Sequence, residues 1–153
     1  LLRPYQSSGI TLLELLLAVA LLSIITAVAY PSYRQYIEEA DINIAIKQLT
    51  AMSIEIDGYA FGNGGVFPAS LADVSFNNFL DPWGNSYQYT NIASVKGKGS
   101  LRKDGSLVPI NSDYDLYSKG PDGLSVSPLT AKHSRDDIVR ANNGRFFGVA
   151  EDY

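Results

Sequence analysis

Gly9-Ile10-Thr11-Leu12-Leu13-Glu14 opens the apolar run on which the whole chain turns. Across residues 10–33 the only formal charge is Glu14, and the rest is largely Leu, Ile, Val and Ala with a few small hydroxyls. As a helix, residues 10–30 rise about 31 Å, the thickness of a bilayer core. A stretch of that length and so little charge predicts a membrane span. Glu14 is the anomaly, because a carboxylate inside a span costs about 3 kcal/mol and marks a functional residue in need of a partner.

Glycine, then Ile10, Thr11, Leu12 and Glu14 ahead of a long apolar helix resembles the N-terminal signal of the type IV pilin-like family. The resemblance implies a prepilin peptidase that cuts between Gly9 and Ile10 and methylates the new N-terminus at Ile10. It makes residues 1–9 a leader and residues 10–31 a transmembrane and assembly helix. Independently, cleavage creates an α-amine, the natural partner for a carboxylate in an apolar phase. In a helical fibre, Glu14 of one subunit would meet the Ile10 amine of the next and fix axial register. Two competing readings are a plain membrane anchor and a cleaved secretory signal. The second would use Ala18-Val19-Ala20 or Ala27-Val28-Ala29 as its small-residue site. A run this long with a carboxylate near its start fits neither as well.

Charge sets the topology. Arg3 precedes the span, while residues 34–57 carry two cations and five acids. The positive-inside rule therefore puts the N-terminus in the cytoplasm. The resemblance then implies a bacterial inner membrane, with residues 59–153 as a globular domain in the periplasm. About 100 residues follow the helix, enough for one modest domain. The net charge of −4 argues against a general affinity for nucleic acid. There is no cysteine, so packing or a bound ion must fix the loops.

Pro31 removes one helix donor. Two readings stand: a kink at the membrane exit, or the loosening that a proline at this distance implies in pilin-like subunits. Residues 32–58 continue as an amphipathic half. Ile37, Ala40, Ile44, Leu49, Met52 and Ile56, with Ala45 beside Ile44, form its apolar stripe, and Gly58 is the expected cap. A Gly- and Asn-containing connector follows, with a short helical turn at Ser70-Leu71-Ala72-Asp73-Val74. The resemblance makes this connector a lateral contact surface.

Asp81-Pro82-Trp83-Gly84-Asn85 reads as a turn and Tyr87-Gln88-Tyr89-Thr90 as a strand, with Trp83 anchoring the turn on the sheet. Together they resemble the start of the sheet in the major pseudopilins of type II secretion. A hairpin is expected from residues 92–95 through Lys96-Gly97-Lys98-Gly99 and Asp104-Gly105 to residues 107–110. Lys96, Lys98, Arg102 and Lys103 read as a solvated loop face, with DNA uptake the alternative. Tyr114-Asp115-Leu116-Tyr117-Ser118 reads as a strand, and Lys119-Gly120-Pro121-Asp122-Gly123 as the tight turn after it.

That last block resembles the pseudopilin stretch whose loop wraps a calcium ion. By resemblance the side chains of Asp122, Asp136 and Asp137 and the backbone carbonyl of Lys119 would ligate Ca2+. The plain alternative is a set of solvated surface acids. Phe146 and Phe147 in the tail should pack on the sheet and close the fold, with a terminal recognition tag as the other reading.

No catalytic constellation is present. His133 is the single histidine, there is no cysteine, and neither a nucleophile elbow nor a Walker-type glycine loop occurs. The expected fold is α+β and type IV pilin-like: one long N-terminal helix on a small antiparallel sheet of three to four strands, with a C-terminal loop. The expected function is a structural subunit, not an enzyme, of a periplasm-spanning type II secretion pseudopilus. The expected partners are copies of itself, minor pilin-like subunits, the prepilin peptidase, an inner-membrane assembly platform and, before assembly, lipid. A type IV pilus subunit, or a monomeric membrane-tethered binding module, are the alternatives.

Overall fold

The structure is a computed structural model describing residues 9–153. The leader reading falls mostly on residues 1–8, Arg3 included, and so lies outside the described residues. Helix α1, Leu12–Gly62, contains Pro31 and runs through it without a break. The chain divides into two compact units, one ending at Glu39 and the other Ala40–Tyr153.

In the first unit the side chains of α1 are exposed along the whole apolar run. Small hydroxyls are absorbed by the helix itself: Ser23 Oγ donates to Val19 O at 2.8 Å and Thr26 Oγ1 to Leu22 O at 2.7 Å. The surface that remains is hydrocarbon.

In the second unit, α1 buries Ala45, Leu49, Met52, Ser53, Ile56 and Ala60. Steps of three and four keep these on one face. Ile44 does not belong to it and is 45% exposed. At about 100° per residue, the five-residue step from Ile44 to Leu49 turns it about 140° off the stripe. Each fully buried Leu49, Met52 or Ile56 contributes roughly 1.5–3 kcal/mol.

The helix also runs past its expected end at Gly58. Ala60 is buried two residues beyond it, and a mid-helix glycine costs only roughly 0.5–1 kcal/mol. The actual stop is Gly64, at φ +68°, with Gly65 N–H donating back to Ala60 O at 2.8 Å, a Schellman closure.

Four short strands form an antiparallel meander in the order β1 (Gln88–Asn91), β2 (Tyr114–Ser118), β3 (Ile138–Ala141), β4 (Phe146–Val149). Tyr89 pairs with Leu116, Tyr117 with Val139 and Ile138 with Val149. Paired residues share a face. Tyr114, Leu116 and Ile138, with Tyr89, Phe147 and Val149, pack with Leu49, Met52 and Ile56 of α1. Val139, Ala141, Tyr117 and Phe146 face the other way and pack with Ile110, Leu129 and Ala150. Trp83 packs against the helix-side core, as the anchoring reading expects.

Two strand expectations change. The hairpin over residues 92–110 is not formed: Ile92–Ser94 is a 3-10 turn, and only the tight turn between Asp104 and Leu107 survives. The pairing partners are instead β3 and β4, the latter built from the tail that carries Phe146 and Phe147.

Candidate functional site

At the start of α1, Thr11 is the N-cap and Glu14 the third helical residue. Thr11 N and Oγ1 donate to Glu14 Oε2 at 2.9 and 2.8 Å, and Glu14 N donates back to Thr11 Oγ1 at 3.2 Å. This is a capping box, which satisfies two helix-end donors and gives the carboxylate a partner within its own chain. Glu14 is thus held one turn from the Gly9–Ile10 bond, and both residues of that bond are exposed. The Thr-x-x-Glu spacing was present in the sequence and would have revealed Thr11, which sequence reasoning passed over. α1 is long and apolar enough to cross a membrane, and none of its most apolar stretch is buried.

The two blocks that resemble pseudopilins meet in space. Asp81 Oδ1 accepts from Trp83 N at 3.1 Å and Asn85 N at 2.8 Å, while its Oδ2 accepts from Ser118 Oγ at 2.5 Å. Asn85 Nδ2 in turn donates to Gly120 O at 3.1 Å. Gly120, at φ +63°, lies so close to Asp136 that a Cβ there would fall 2.2 Å from its carbonyl oxygen. One carboxylate therefore binds the turn before β1 to the end of β2, and a glycine lets the β2–β3 loop close over it.

The expected calcium ligands do not form one shell. Asp122 and Asp136 come together, with Asp122 N donating to Asp136 Oδ2 at 3.3 Å. Asp122 Oδ1 accepts from Leu124 N at 2.7 Å, and its Oδ2 lies 3.5 Å from His133 Nδ1. Lys119 directly follows β2 at the mouth of the same loop. Asp137 is fully buried and committed elsewhere: its Oδ2 accepts from Arg102 Nη2 and from Ser125 Oγ. Burial pushes the Asp137 carboxyl up to about 6, against the pull of those two donors. Among the described residues no three acidic or histidine side chains converge as a metal-binding group. The donor set does not fit the calcium site that the resemblance implied, because its innermost acid is already neutralised by a guanidinium.

Arg102 itself was expected on a solvated face. It is 3% exposed, its guanidinium 4.2 Å from the centre of the Tyr117 ring. A second buried cation, Arg140, forks onto Asp113 at 2.9 and 2.7 Å and lies 3.9 Å over the Tyr114 ring. Its Nε donates to Ser53 Oγ at 3.2 Å, tying β3 to α1. The sequence carried no sign of either, since exposure here is decided by partners distant along the chain.

Residues 5–30 match the prokaryotic N-terminal methylation motif. Over 138 residues the chain is 27% identical to the type II secretion system core protein G of Pseudomonas aeruginosa, covering 77% of the chain and 86% of that protein. It is 25% identical over 139 residues to the type IV major pilin protein PilE1 of Neisseria gonorrhoeae, covering 88% of the chain and 64% of that protein. It is also 27% identical over 126 residues to the type IV major fimbrial protein FimA of Dichelobacter nodosus, covering 79% and 74%. No solved structure gives a significant match. A methylation motif at the head of α1, a long apolar helix, a four-stranded antiparallel sheet and these relatives have one common reading: the chain is similar to the type IV pilins and type II secretion pseudopilins, which are structural subunits and not enzymes.

Proposed function

We propose that the chain is a subunit of a type II secretion pseudopilus. It inserts in the bacterial inner membrane with its N-terminus cytoplasmic and residues 59–153 in the periplasm. The prepilin peptidase cuts between Gly9 and Ile10 and methylates Ile10. An inner-membrane assembly platform then draws subunits from the lipid into a periplasm-spanning fibre of copies of this chain, with minor pilin-like subunits.

The observation that carries this reading is the pairing of an exposed apolar helix surface with a carboxylate fixed one turn from the cleavage bond. A span used only as a tether has no need of Glu14. Hydrocarbon on every side suits a helix that exchanges lipid for other helices. Pro31, with no N–H to give, adds a point at which α1 resists the exchange least. The corner joining Asp81, Asn85, Ser118 and Gly120 favours the secretion system, because both contributing blocks resemble its major pseudopilins. A type IV pilus subunit is the second reading, favoured by the type IV major pilin and fimbrial proteins among the relatives.

Intact mass from native membranes, with and without the prepilin peptidase, tests the common core of both. A chain beginning at Ile10 and carrying one added methyl is expected. An uncut chain would leave a tethered domain, and a cut after Ala20 or Ala29 a secreted one. Deletion of the gene then separates the two systems, through exported proteins trapped in the periplasm or through loss of surface fibres.

A further inference from the structure

The β2–β3 loop, residues 119–137, is long for a connection in a small domain, and loops of that length need a tie. Arg102 provides it from outside the loop. Its backbone is pinned on both sides: Arg102 N donates to Asp115 Oδ2 at 2.9 Å, and Arg102 O accepts from Ile110 N at 3.1 Å. Its Nη1 donates to Ser125 Oγ at 2.6 Å and to Val126 O at 2.7 Å, and its Nη2 to Asp137 Oδ2. Ser125 Oγ donates to the same Asp137 oxygen at 2.6 Å. The loop is then sewn to itself and its neighbour: Val126 N donates to Ser134 Oγ at 2.9 Å and Lys103 N to Ser127 O at 3.1 Å.

One positive centre thus gathers a hydroxyl, a carbonyl and a carboxylate oxygen from separate points of one loop. These are the oxygen classes that a hard cation such as calcium collects. We propose that Arg102 is the resident cation of this loop, holding residues 125–137 against β2 and β3 and making the fold independent of calcium. Charge supports the assignment. The Arg102–Asp137 pair is neutral as it stands, and a divalent ion on Asp137 would set two like charges together in a buried site. The atoms of the pair that lack a partner are one donor, Arg102 Nε, and one acceptor, Asp137 Oδ1. Tyr117 beneath the guanidinium adds a face that attracts a planar cation.

The test is thermal unfolding of the full chain in detergent micelles, followed by near-ultraviolet circular dichroism, in excess calcium chloride and in excess chelator. Wild-type Tm should be the same in both. A calcium-induced rise of more than about 4 °C, equivalent to about 1 kcal/mol in a domain this size, overturns the proposal. Arg102→Met should lower Tm by about 10 °C or more in both conditions, and Arg102→Lys, which keeps the charge but not the fork, by less. Equal loss in the Lys and Met variants, or no loss in either, overturns it as well. Should Arg102→Met fail to fold, the wild-type calcium response and the Lys variant still decide.

Discussion

Replacing Glu14 by Gln and by Ala separates the two tasks of its carboxylate. The first task is local. Two donations from Thr11, at 2.9 and 2.8 Å, and one back to it at 3.2 Å close the end of α1. Such a cap is worth about 1 kcal/mol, and Gln at this position still accepts from Thr11. The second task is the pairing with the Ile10 amine of a neighbour in the proposed fibre. Removing one member of a buried ion pair costs roughly 3–5 kcal/mol, or about two to three and a half decades in an equilibrium constant. Glu14→Gln should therefore keep the helix end and membrane insertion yet lower fibre yield about a hundredfold or more. Thr11→Ala, which loses only the cap, should cost roughly fivefold. Glu14→Ala should combine both losses. Insertion is read by carbonate extraction, and assembly by the sheared-fibre fraction and negative-stain microscopy. Fibres at wild-type yield from Glu14→Gln would sink the charge-pairing account and leave Glu14 as a helix cap alone.

Arg140→Met should unfold the domain at markedly lower temperature, because it strands Asp113 and Ser53 beside the core; a loss of roughly 3–5 kcal/mol is expected, measured by urea titration. Gly120→Ala meets the Asp136 carbonyl at 2.2 Å as well as the left-handed penalty of about 1–2 kcal/mol, so it should destabilise far more than Gly97→Ala, where the added Cβ meets open space. Asp115 gives a pH dependence. Burial raises its carboxyl above the ordinary 3.8, against the donors Arg102 N and Asn111 Nδ2. In the window between 3.8 and that raised value the folded state binds more protons than the unfolded one, so this group stabilises as pH falls and destabilises as pH rises through the window. Unfolding free energies of wild type and Asp115→Asn should draw apart as pH rises through that window, the wild type losing stability relative to the variant, and parallel curves would refute the assignment.

Residues 10–33 were legible because a nearly chargeless run of that length has few structural uses. The buried face of α1 was legible from Ala45 to Ile56, where the steps keep to three and four, and failed at Ile37 and Ile44, which are exposed. Gly58 misled because a local propensity was read without the tertiary contact of Ala60, which carries the helix onward. The alternating tyrosines of β1 and the start of β2 gave those strands away. β3 was hidden because both its faces are buried, Arg140 included, so it shows no polar–apolar alternation. Residues 92–110 showed alternation without a partner strand, and glycines at 97, 99 and 105 leave that segment to turns.

The misplaced arginines show how a cysteine-free domain of this size holds its loops. Arg140 works on the helix side of the sheet, joining Ser53 of α1 to Asp113 and the Tyr114 ring. Arg102 works on the opposite side, joining the segment before β2 to the β2–β3 loop over the Tyr117 ring. Each guanidinium is paired with one carboxylate, Arg102 with Asp137 and Arg140 with Asp113. Buried pairs of this kind add little net stability over a well-packed apolar substitute, but they tolerate only one arrangement of donors and acceptors. That directional demand is what a short meander with long irregular connections lacks. Stability comes from Leu49, Met52, Ile56 and the aromatic residues around Tyr114, while the fixed course of the loops comes from the two arginines. A paired replacement such as Arg102→Met with Asp137→Leu should therefore recover much of the stability that either single change loses, while the loop over residues 119–137 becomes the first site of proteolytic cleavage.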